Sequence, residues 1–378
     1  MSSGKYRKVF FITIAAFWIA VLCLFLVEKM NSKKYAIKIL PSSSSQVSPS
    51  PATSAPPSTE PVKKKTFDEL VAEYKDIPVI DAHNHNSANE KHLTMKESWD
   101  NYGIDRVVLF GQVSTPGAVE TDNRAWKAYL DDPERFIPFT TGVNLVEESG
   151  IEQLKVNLEK GFFGLGEIAA ASQFSPLLAT AAWKTEHPMD GVLPQIYELL
   201  AEYKAPVLLH IDPIAGVPLA KLKEALDAYP DTTFILAHAN AHNSPFQLEK
   251  LLENHPNLYA DFFAGFTEYN AESENELIDF VPIIQKYSDR FLVSTDSGFG
   301  IGNEVEAIDA IYRLFDALGD RGLAQKIGYD NIERLIKQQP ATQTQLEAIK
   351  KLGGETVART DLGTLTKLEA GRILNQAS

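Results

Sequence analysis

The sequence predicts a (β/α)₈ barrel, also called a TIM barrel, and three observations lead to that fold. From about residue 66 onward, apolar strand-like runs alternate with helix-like segments over roughly 250 residues, the usual size of this barrel. Five of the runs end on, or just before, a His, Glu or Asp side chain. The main alternative is an open doubly wound sheet, but the chain lacks the Gly-rich phosphate loop typical of that fold. A closed ring of strands therefore explains the pattern better.

The barrel elements can be assigned in order from hydrophobic periodicity. The apolar runs predict strands at 77–82, 104–110, 136–143, 162–168, 206–211, 233–239, 258–262 and 291–294. Helical spacing predicts helices at 67–74, 94–103, 123–130, 150–160, 193–203, 219–228, 248–254, 274–287 and 304–318. Thr94 with Glu97 predicts a capping box, and Ser244 with Pro245 and Gln247 predicts a second helix start. These elements give eight strand–helix pairs.

The segments outside the barrel predict a membrane anchor and a linker. The expected organisation is a basic segment at 1–8, a transmembrane signal anchor at 9–27, a disordered Ser/Pro-rich linker at 28–65, the barrel at 66–340 and a C-terminal helical extension at 341–378. Glu28 and Lys29 directly follow the apolar run, which favours an uncleaved anchor over a cleaved signal peptide. The linker would hold the catalytic part away from the lipid. We therefore expect a membrane-anchored protein whose catalytic domain is periplasmic or extracellular.

Composition excludes some functions. The formal net charge of -14 argues against a general nucleic-acid surface, which would need a basic patch. The single cysteine, Cys23, lies in the apolar run, so a disulfide-stapled fold is excluded. The expected partners are a small-molecule substrate and, through the N-terminal helix, the membrane. The sequence does not indicate an oligomeric state.

Six side chains at the ends of the predicted strands form a candidate metal site. His83 and His85 are two residues apart, so both rings point to the same side of one strand end. Histidine nitrogens and carboxylate oxygens are common ligands of catalytic divalent metals, and the carboxyl ends of barrel strands share one face. The candidate ligands are His83, His85, Glu167, His210, His238 and Asp296.

The order of these motifs resembles the amidohydrolase superfamily, and within it the amidohydrolase-related branch of hydrolases and decarboxylases. The resemblance covers roughly 77–335, and residues 327–335 are similar to the closing helix of the family. It implies that His83, His85, His210 and Asp296 hold or approach the metal. It also implies that Asp296 is the general base. Zinc is the expected metal, with manganese or iron as alternatives, as one or two ions.

Two positions decide how many ions are held. The resemblance allows His238 either to assist catalysis beside one metal or to bind a second. Many binuclear relatives bridge their metals with a carboxylated lysine on strand four, where this chain has Glu167. Glu167 could bridge two cations directly or be a structural carboxylate, and the sequence favours the bridge. For Asp296 the alternative is a helix N-cap, because its surroundings are turn-like.

Weaker candidates lie around this set. Asp212 follows His210 by two residues and is expected to orient it from outside the ligand set. His92, His187 and His255 are expected to face solvent, with a substrate contact as the alternative for His187. The irregular stretch 169–191 follows strand four on the catalytic face, and the loop after strand six contains a further histidine. The substrate-contact candidates from these two segments are Trp183, Lys184, His187 and His242.

These features predict a metal-dependent hydrolase that uses metal-activated water on an ester, lactone, amide or phosphoester of a small molecule. A non-oxidative metal-dependent decarboxylase on the same barrel is the alternative. A barrel that has lost catalysis and serves as a surface binding protein is the third hypothesis, although all six candidate ligands are present.

Overall fold

The computed structural model describes residues 64–353 and 361–377. The predicted transmembrane segment at 9–27 and nearly all of the predicted linker lie outside this range. Within the described part, no helix is long and apolar enough to cross a bilayer. Lys64 and Lys65, the last residues of the predicted linker, form ion pairs with side chains of the barrel.

Eight parallel strands pair in chain order from β1 to β8, which confirms the predicted barrel. The strands are β1 Ile80–Asn84, β2 Arg106–Leu109, β3 Phe136–Thr140, β4 Gly164–Ser172, β5 Val207–Asp212, β6 Phe234–Leu236, β7 Leu258–Phe262 and β8 Phe291–Val293. Almost every strand residue is buried, as expected when helices cover the outside of a parallel sheet. The apolar runs of the sequence therefore form the wall of the barrel.

In the described part of the chain, one helix precedes β1 and at least one helix follows each strand. They are α1 Phe67–Tyr74, α2 His92–Tyr102, α3 Ala118–Asp131, α4 Ser149–Lys160, α5 Leu193–Tyr203, α6 Gly216–Ala228, α7 Pro245–Asn254, α8 Ala264–Tyr269, α9 Leu277–Lys286, α10 Glu304–Leu318, α11 Arg321–Gln325, α12 Asn331–Lys337, α13 Gln343–Leu352 and α14 Lys367–Gln376. Helices α1, α5 and α10 have the predicted bounds. Helix α8 was not predicted, and α3 begins five residues earlier than expected. The C-terminal helices α13 and α14 pack against each other and against α4 and α12.

Two local predictions are wrong. Helix α2 begins at His92 rather than at Thr94, whose hydroxyl donates to the carbonyl of Lys91 instead of capping. His92 and His255 are buried rather than solvent-facing. The ring of His92 bonds the carbonyl of Asn86, and the ring of His255 lies 3.2 Å from an Asp227 carboxylate oxygen. Each ring has an oxygen partner, which makes its burial tolerable. By contrast, the predicted start of α7 is correct, because Ser244 and Gln247 form a capping box.

A side chain joins the first and last strands at the catalytic face. Asp81 on β1 accepts hydrogen bonds from the backbone N–H of Thr295, at 2.9 Å, and from its hydroxyl, at 2.6 Å. Thr295 follows β8 by two residues. This buried link sets the position of the β8 loop relative to β1. It therefore fixes Asp296 beside the two histidines of β1.

Candidate active site

Three side chains from the two ends of the barrel sequence form the first ligand group. His83 Nε2 lies 3.0 Å from His85 Nε2, and the two atoms lie 3.4 and 3.5 Å from Asp296 Oδ1. Two ligands bound at ~2.1 Å to a tetrahedral ion would be roughly 3.4 Å apart, so these separations suit a shared ion. The group combines the two β1 histidines with the β8-loop aspartate, as the sequence suggested.

A second ligand group lies beside the first. Glu167 Oε1 on β4 is 3.0 Å from His210 Nδ1 and 3.1 Å from His238 Nε2, and the two ring nitrogens are 3.1 Å apart. All three side chains are buried. Each group contains three potential ligand atoms within 4.8 Å of one another. The six sequence candidates therefore divide into two triplets.

Glu167 belongs to the second triplet and also faces the first, with one carboxylate oxygen directed to each. Its Oε1 contacts the second group, whereas its Oε2 is 3.4 Å from His85 Nε2 and 3.9 Å from His83 Nε2. The preceding Gly166 has a φ of +127°, and a Cβ there would lie 2.5 Å from the carbonyl oxygen of Leu208. Only glycine allows β4 to approach β5 this closely with that backbone. The Gly-Glu pair thus places the carboxylate at the centre of the site.

In three of the histidines, the ring nitrogen that points away from the ligand groups contacts an oxygen atom. These contacts indicate which nitrogen faces the site and whether it could bind a cation. His83 Nδ1 lies 2.7 Å from Asp261 Oδ2, and His85 Nδ1 lies 2.9 Å from the carbonyl oxygen of Gly111. His210 Nε2 lies 3.0 Å from Asp212 Oδ2. An N–H donated to each of these oxygens leaves the opposite lone pair directed at the ligand groups. Converging lone pairs and carboxylates fit one or two divalent cations.

The structure adds a residue that sequence reasoning missed. Asp261 on β7 is fully buried, bonds the His83 ring and also accepts the backbone N–H of His238 at 3.0 Å. It therefore positions one histidine of each triplet. Like Glu167 and Asp296, Asp261 is a carboxylate near the end of an apolar run, so the sequence of β7 contains the same indication of a site residue.

Asp212 occupies the place expected of a residue that orients His210, and it has further contacts. Its carboxylate accepts hydrogen bonds from the Ser172 hydroxyl and from the backbone N–H groups of Phe174 and Ser175, at 3.1, 3.2 and 2.8 Å. It also accepts the N–H of Gln173. Asp212 therefore ties the start of the loop between β4 and α5 to the second ligand group.

A buried polar network supports the first triplet from below. Glu304, the first residue of α10, accepts hydrogen bonds from the amide of Asn84 and the indole of Trp99, both at 2.9 Å. It also accepts the Asn86 amide at 2.7 Å. Asn84 lies between the two β1 histidines in the sequence and also bonds Asp81. The network therefore holds the backbone that carries both rings.

Three residues at this face adopt left-handed backbone conformations that are unfavourable for side chains other than glycine. They are His238, Asp296 and Ser297, with φ of 34°, 43° and 51°. Such conformations cost of the order of 1 kcal/mol or more each and concentrate at functional sites. Thr295, not Asp296, caps the short turn that follows β8, because its hydroxyl accepts the N–H of Ser297. The Asp296 carboxylate is therefore directed into the site instead of capping a helix.

The charges in the cluster shift its protonation. Burial lowers the pKa of His83, but the charges of Asp296 and Asp261 outweigh it and raise that pKa to about 10. Burial also opposes ionisation of Glu167, yet His210 and the other histidines hold its pKa well below the usual range. Burial raises the pKa of Asp296, which the nearby histidine charges only partly offset. A cation that binds here must displace ring protons.

A cavity of about 480 Å³ opens above the two triplets. Its inner end contains His85, Glu167, His210, His238 and Asp296. Its outer wall contains the apolar residues Ala88, Val113, Leu177, Leu178 and Phe299. The volume lies within the roughly 300–1,000 Å³ of sites for small ligands. The ligand groups are thus accessible to a small molecule.

The predicted substrate contacts lie at other places around the site. Trp183, Lys184 and His187 come from the β4–α5 loop but do not line the cavity, whereas Ser175, Leu177 and Leu178 of the same loop do. Lys184 instead forms an ion pair with Glu186. The His242 ring packs edge-on against His238, with ring centres 6.2 Å apart, and is exposed.

The structure is similar to solved barrel proteins at low sequence identity. An uncharacterised TIM-barrel protein from Bordetella bronchiseptica aligns with a TM-score of 0.50 and 16% identity, over 68% of this chain and 98% of that chain. A dihydroxybenzoic acid decarboxylase from Polaromonas sp. JS666, solved with manganese and the inhibitor 2-nitroresorcinol, aligns with a TM-score of 0.43 and 14% identity, over 68% and 96%. A lactonase from Listeria monocytogenes aligns with a TM-score of 0.38 and 15% identity, over 71% and 84%. At 16% identity, the Bordetella alignment supports the barrel fold and nothing further.

Sequence comparisons identify the family. A comparison with curated proteins gives no match. The family model described as amidohydrolase matches residues 80–337, which is more than half of the chain and includes all six candidate ligands. Together with the barrel and the two ligand groups, this match shows that the chain belongs to the amidohydrolase family and is a metal-dependent enzyme of the amidohydrolase superfamily.

Proposed function

We propose that this enzyme is a hydrolase that holds two divalent cations and cleaves an ester, lactone, amide or phosphoester of a small molecule. The observation that supports it is the position of Glu167, with one carboxylate oxygen toward each ligand triplet. His83, His85 and Asp296 would hold one cation, and His210 with His238 the other. A pair of cations in such a site lowers the pKa of water and polarises the bond to be broken.

The residues of the chain have separate roles in this proposal. Asp296, which lines the cavity, accepts the proton of the attacking water at its carboxylate. The water oxygen bonds to the acyl carbon or phosphorus, and the bond to the leaving oxygen or nitrogen breaks. The proton held by Asp296 then passes to the leaving group. Asp261 and Asp212 keep His83 and His210 in the orientation that this reaction needs.

Metal stoichiometry separates the hydrolase from the alternative decarboxylase. We expect two zinc or manganese ions per full chain by elemental analysis after metal loading, and loss of at least one in Glu167→Ala. Glu186→Ala is the matched control, because Glu186 is an exposed glutamate of the β4–α5 loop. A single ion that Glu167→Ala leaves in place would contradict the bridge and favour the decarboxylase.

Turnover tests the role of Asp296. The metal-loaded enzyme is screened against lactones, phosphoesters and aromatic acids, and we expect hydrolysis of a member of the first two classes. Asp296→Asn should lower kcat by roughly 10²–10⁴, the usual contribution of a general base. Release of CO₂ from an aromatic acid without any hydrolysis would refute the proposal, as would unchanged kcat in Asp296→Asn.

We also propose that the enzyme is anchored in the membrane with its barrel outside the cytoplasm. The apolar run at 9–27 and the Ser/Pro-rich segment after it support this proposal. Expected outcomes are recovery in the membrane fraction and digestion of the barrel by protease added to intact cells or spheroplasts. Release of the protein by deletion of 9–27 is the control. Recovery of the full chain in the cytosol would contradict it.

A further inference from the structure

The inner and outer ends of the cavity differ in charge. All of its ionisable lining residues lie at the inner end, in the two ligand groups. Around the outer part, the described lining contains no Lys, Arg, Asp or Glu beyond those groups. The other polar side chains of the lining are neutral, and they are Gln112, Thr115, Ser175 and Ser297. A charged substituent in the outer part would therefore lose hydration without gaining an ionic partner, which is unfavourable.

Two large apolar side chains form the lips of the cavity. Leu177 comes from the β4–α5 loop and Phe299 from the loop after β8, and both line the cavity. Their exposed fractions are 68% and 52%, which is high for residues of this type. A ligand that covered them would bury apolar surface at the point where the cavity meets solvent. Val113 and Leu178 continue this apolar surface inward toward the ligand groups.

The lip formed by Leu177 has a fixed position relative to the reacting centre. The backbone N–H of Ser175, two residues before it, is bonded to Asp212, which also bonds His210. The second lip follows Asp296 by three residues, and the N–H of Phe299 donates to the carbonyl of Asp296 at 2.9 Å. One lip is thus connected to His210 through Asp212 and the other directly to Asp296, so both apolar surfaces lie close to the ligand groups.

We propose that the substrate is an uncharged molecule with an apolar chain or ring, which extends from the ligand groups and leaves the cavity between Leu177 and Phe299. This inference rests on the proposed function, in that the cleaved bond lies at the ligand groups. It narrows the substrate to neutral esters, lactones or amides with an apolar substituent. Substrates with a charged tail are excluded.

Photocrosslinking tests the binding mode without turnover. The metal-loaded full chain, in lipid nanodiscs, is labelled with a six-carbon alkyl diazirine alcohol and with the ω-carboxylate of the same length. We expect the alcohol to label peptides that contain Leu177 or Phe299, in competition with unlabelled hexanol. The carboxylate should label them at least tenfold less. Mapping the label by mass spectrometry separates this signal from probe dissolved in the lipid.

Variants and a substrate series complete the test. Leu177→Asn and Phe299→Asn should each lower labelling at least fivefold. Val156→Asn should leave it unchanged, because Val156 is equally exposed but lies in the middle of α4. For neutral esters, kcat/KM should rise with chain length by up to about fourfold per methylene. Equal labelling by alcohol and carboxylate, or an equal loss in Val156→Asn, would overturn the proposal. Specific labelling without ester turnover would contradict the proposed hydrolase and leave the binding mode standing.

Discussion

Replacement of Asp212 by Ala should loosen the β4–α5 loop and weaken the second ligand group together. The carboxylate accepts hydrogen bonds from the His210 ring, from the Ser172 hydroxyl and from the N–H groups of residues 173–175. Gln173 and Phe174 are exposed, so water can replace the acceptor for them. Ser172 and His210 are buried, so leaving the hydroxyl of one and the ring N–H of the other without an acceptor would each lower the free energy of unfolding by about 1–3 kcal/mol.

The expected destabilisation of Asp212→Ala is therefore about 2–6 kcal/mol, with the loop groups contributing little. It is measured as the free energy of unfolding in urea, with limited proteolysis reporting cleavage within 173–191 and calorimetry reporting metal affinity. Asp212→Asn keeps one acceptor oxygen and should lie between the Ala variant and the wild type in all three measurements.

Asp190→Ala is the matched control for this prediction. Asp190 lies in the same loop and accepts the N–H groups of Glu186 and Gly191, at 3.0 and 2.8 Å, but contacts no ligand residue. It should lower stability by about 1 kcal/mol or less and leave metal affinity unchanged. The reasoning fails if Asp212→Ala unfolds within 0.5 kcal/mol of wild type, or if Asp190→Ala weakens metal binding equally.

Three other predictions follow from buried charges. Removal of metal with a chelator should lower the Tm by several degrees, since a ligand bound only by the folded state stabilises it, and Glu167→Ala should shrink that difference. Metal affinity measured by calorimetry should fall from pH 8 to pH 6 with proton release, because His83, with its pKa raised to about 10, must lose a proton; a pH-independent affinity would contradict this. Burial lowers the pKa of Lys367 to about 7. As pH falls from 10 to 7, the unfolded state therefore binds a proton that the folded state does not bind, and the free energy of unfolding decreases across that window. Lys367→Met should remove this component, and parallel stability–pH curves for the two proteins would refute it.

The sequence predicted the barrel because strand burial leaves a strong apolar signal, but it placed several strand ends incorrectly. Strand β4 was expected at 162–168 and continues to Ser172. Its last residues pair with β5, with Ala169 beside His210 and Ser172 beside Asp212. This extension depends on pairing with β5, about 40 residues away, and on the polar side chain of Asp212. Hydrophobic periodicity contains neither piece of information.

The six candidate ligands could be found from the sequence because they lie at the ends of five apolar runs, one of which is followed by both His83 and His85. The residues that support them could not all be found in this way. Asp261 lies within β7 and meets His83 from β1, although these two strands do not pair with each other. Glu304 resembles an ordinary acidic residue in the first turn of a helix until α10 is packed against β1. Both contacts exist only once the ring of strands has closed.

The contacts behind the histidine rings also explain why the sequence left two roles for His238. His83, His85 and His210 each have an oxygen atom behind the ring, which fixes the nitrogen presented to the site. His238 Nδ1 is buried and has no hydrogen-bond partner among the described residues. No group behind the ring therefore fixes its tautomer, so Nε2 can present either a lone pair to a cation or an N–H to a substrate carbonyl. The two mechanisms that the family allows differ at this nitrogen, and the second cation that we propose would select between them.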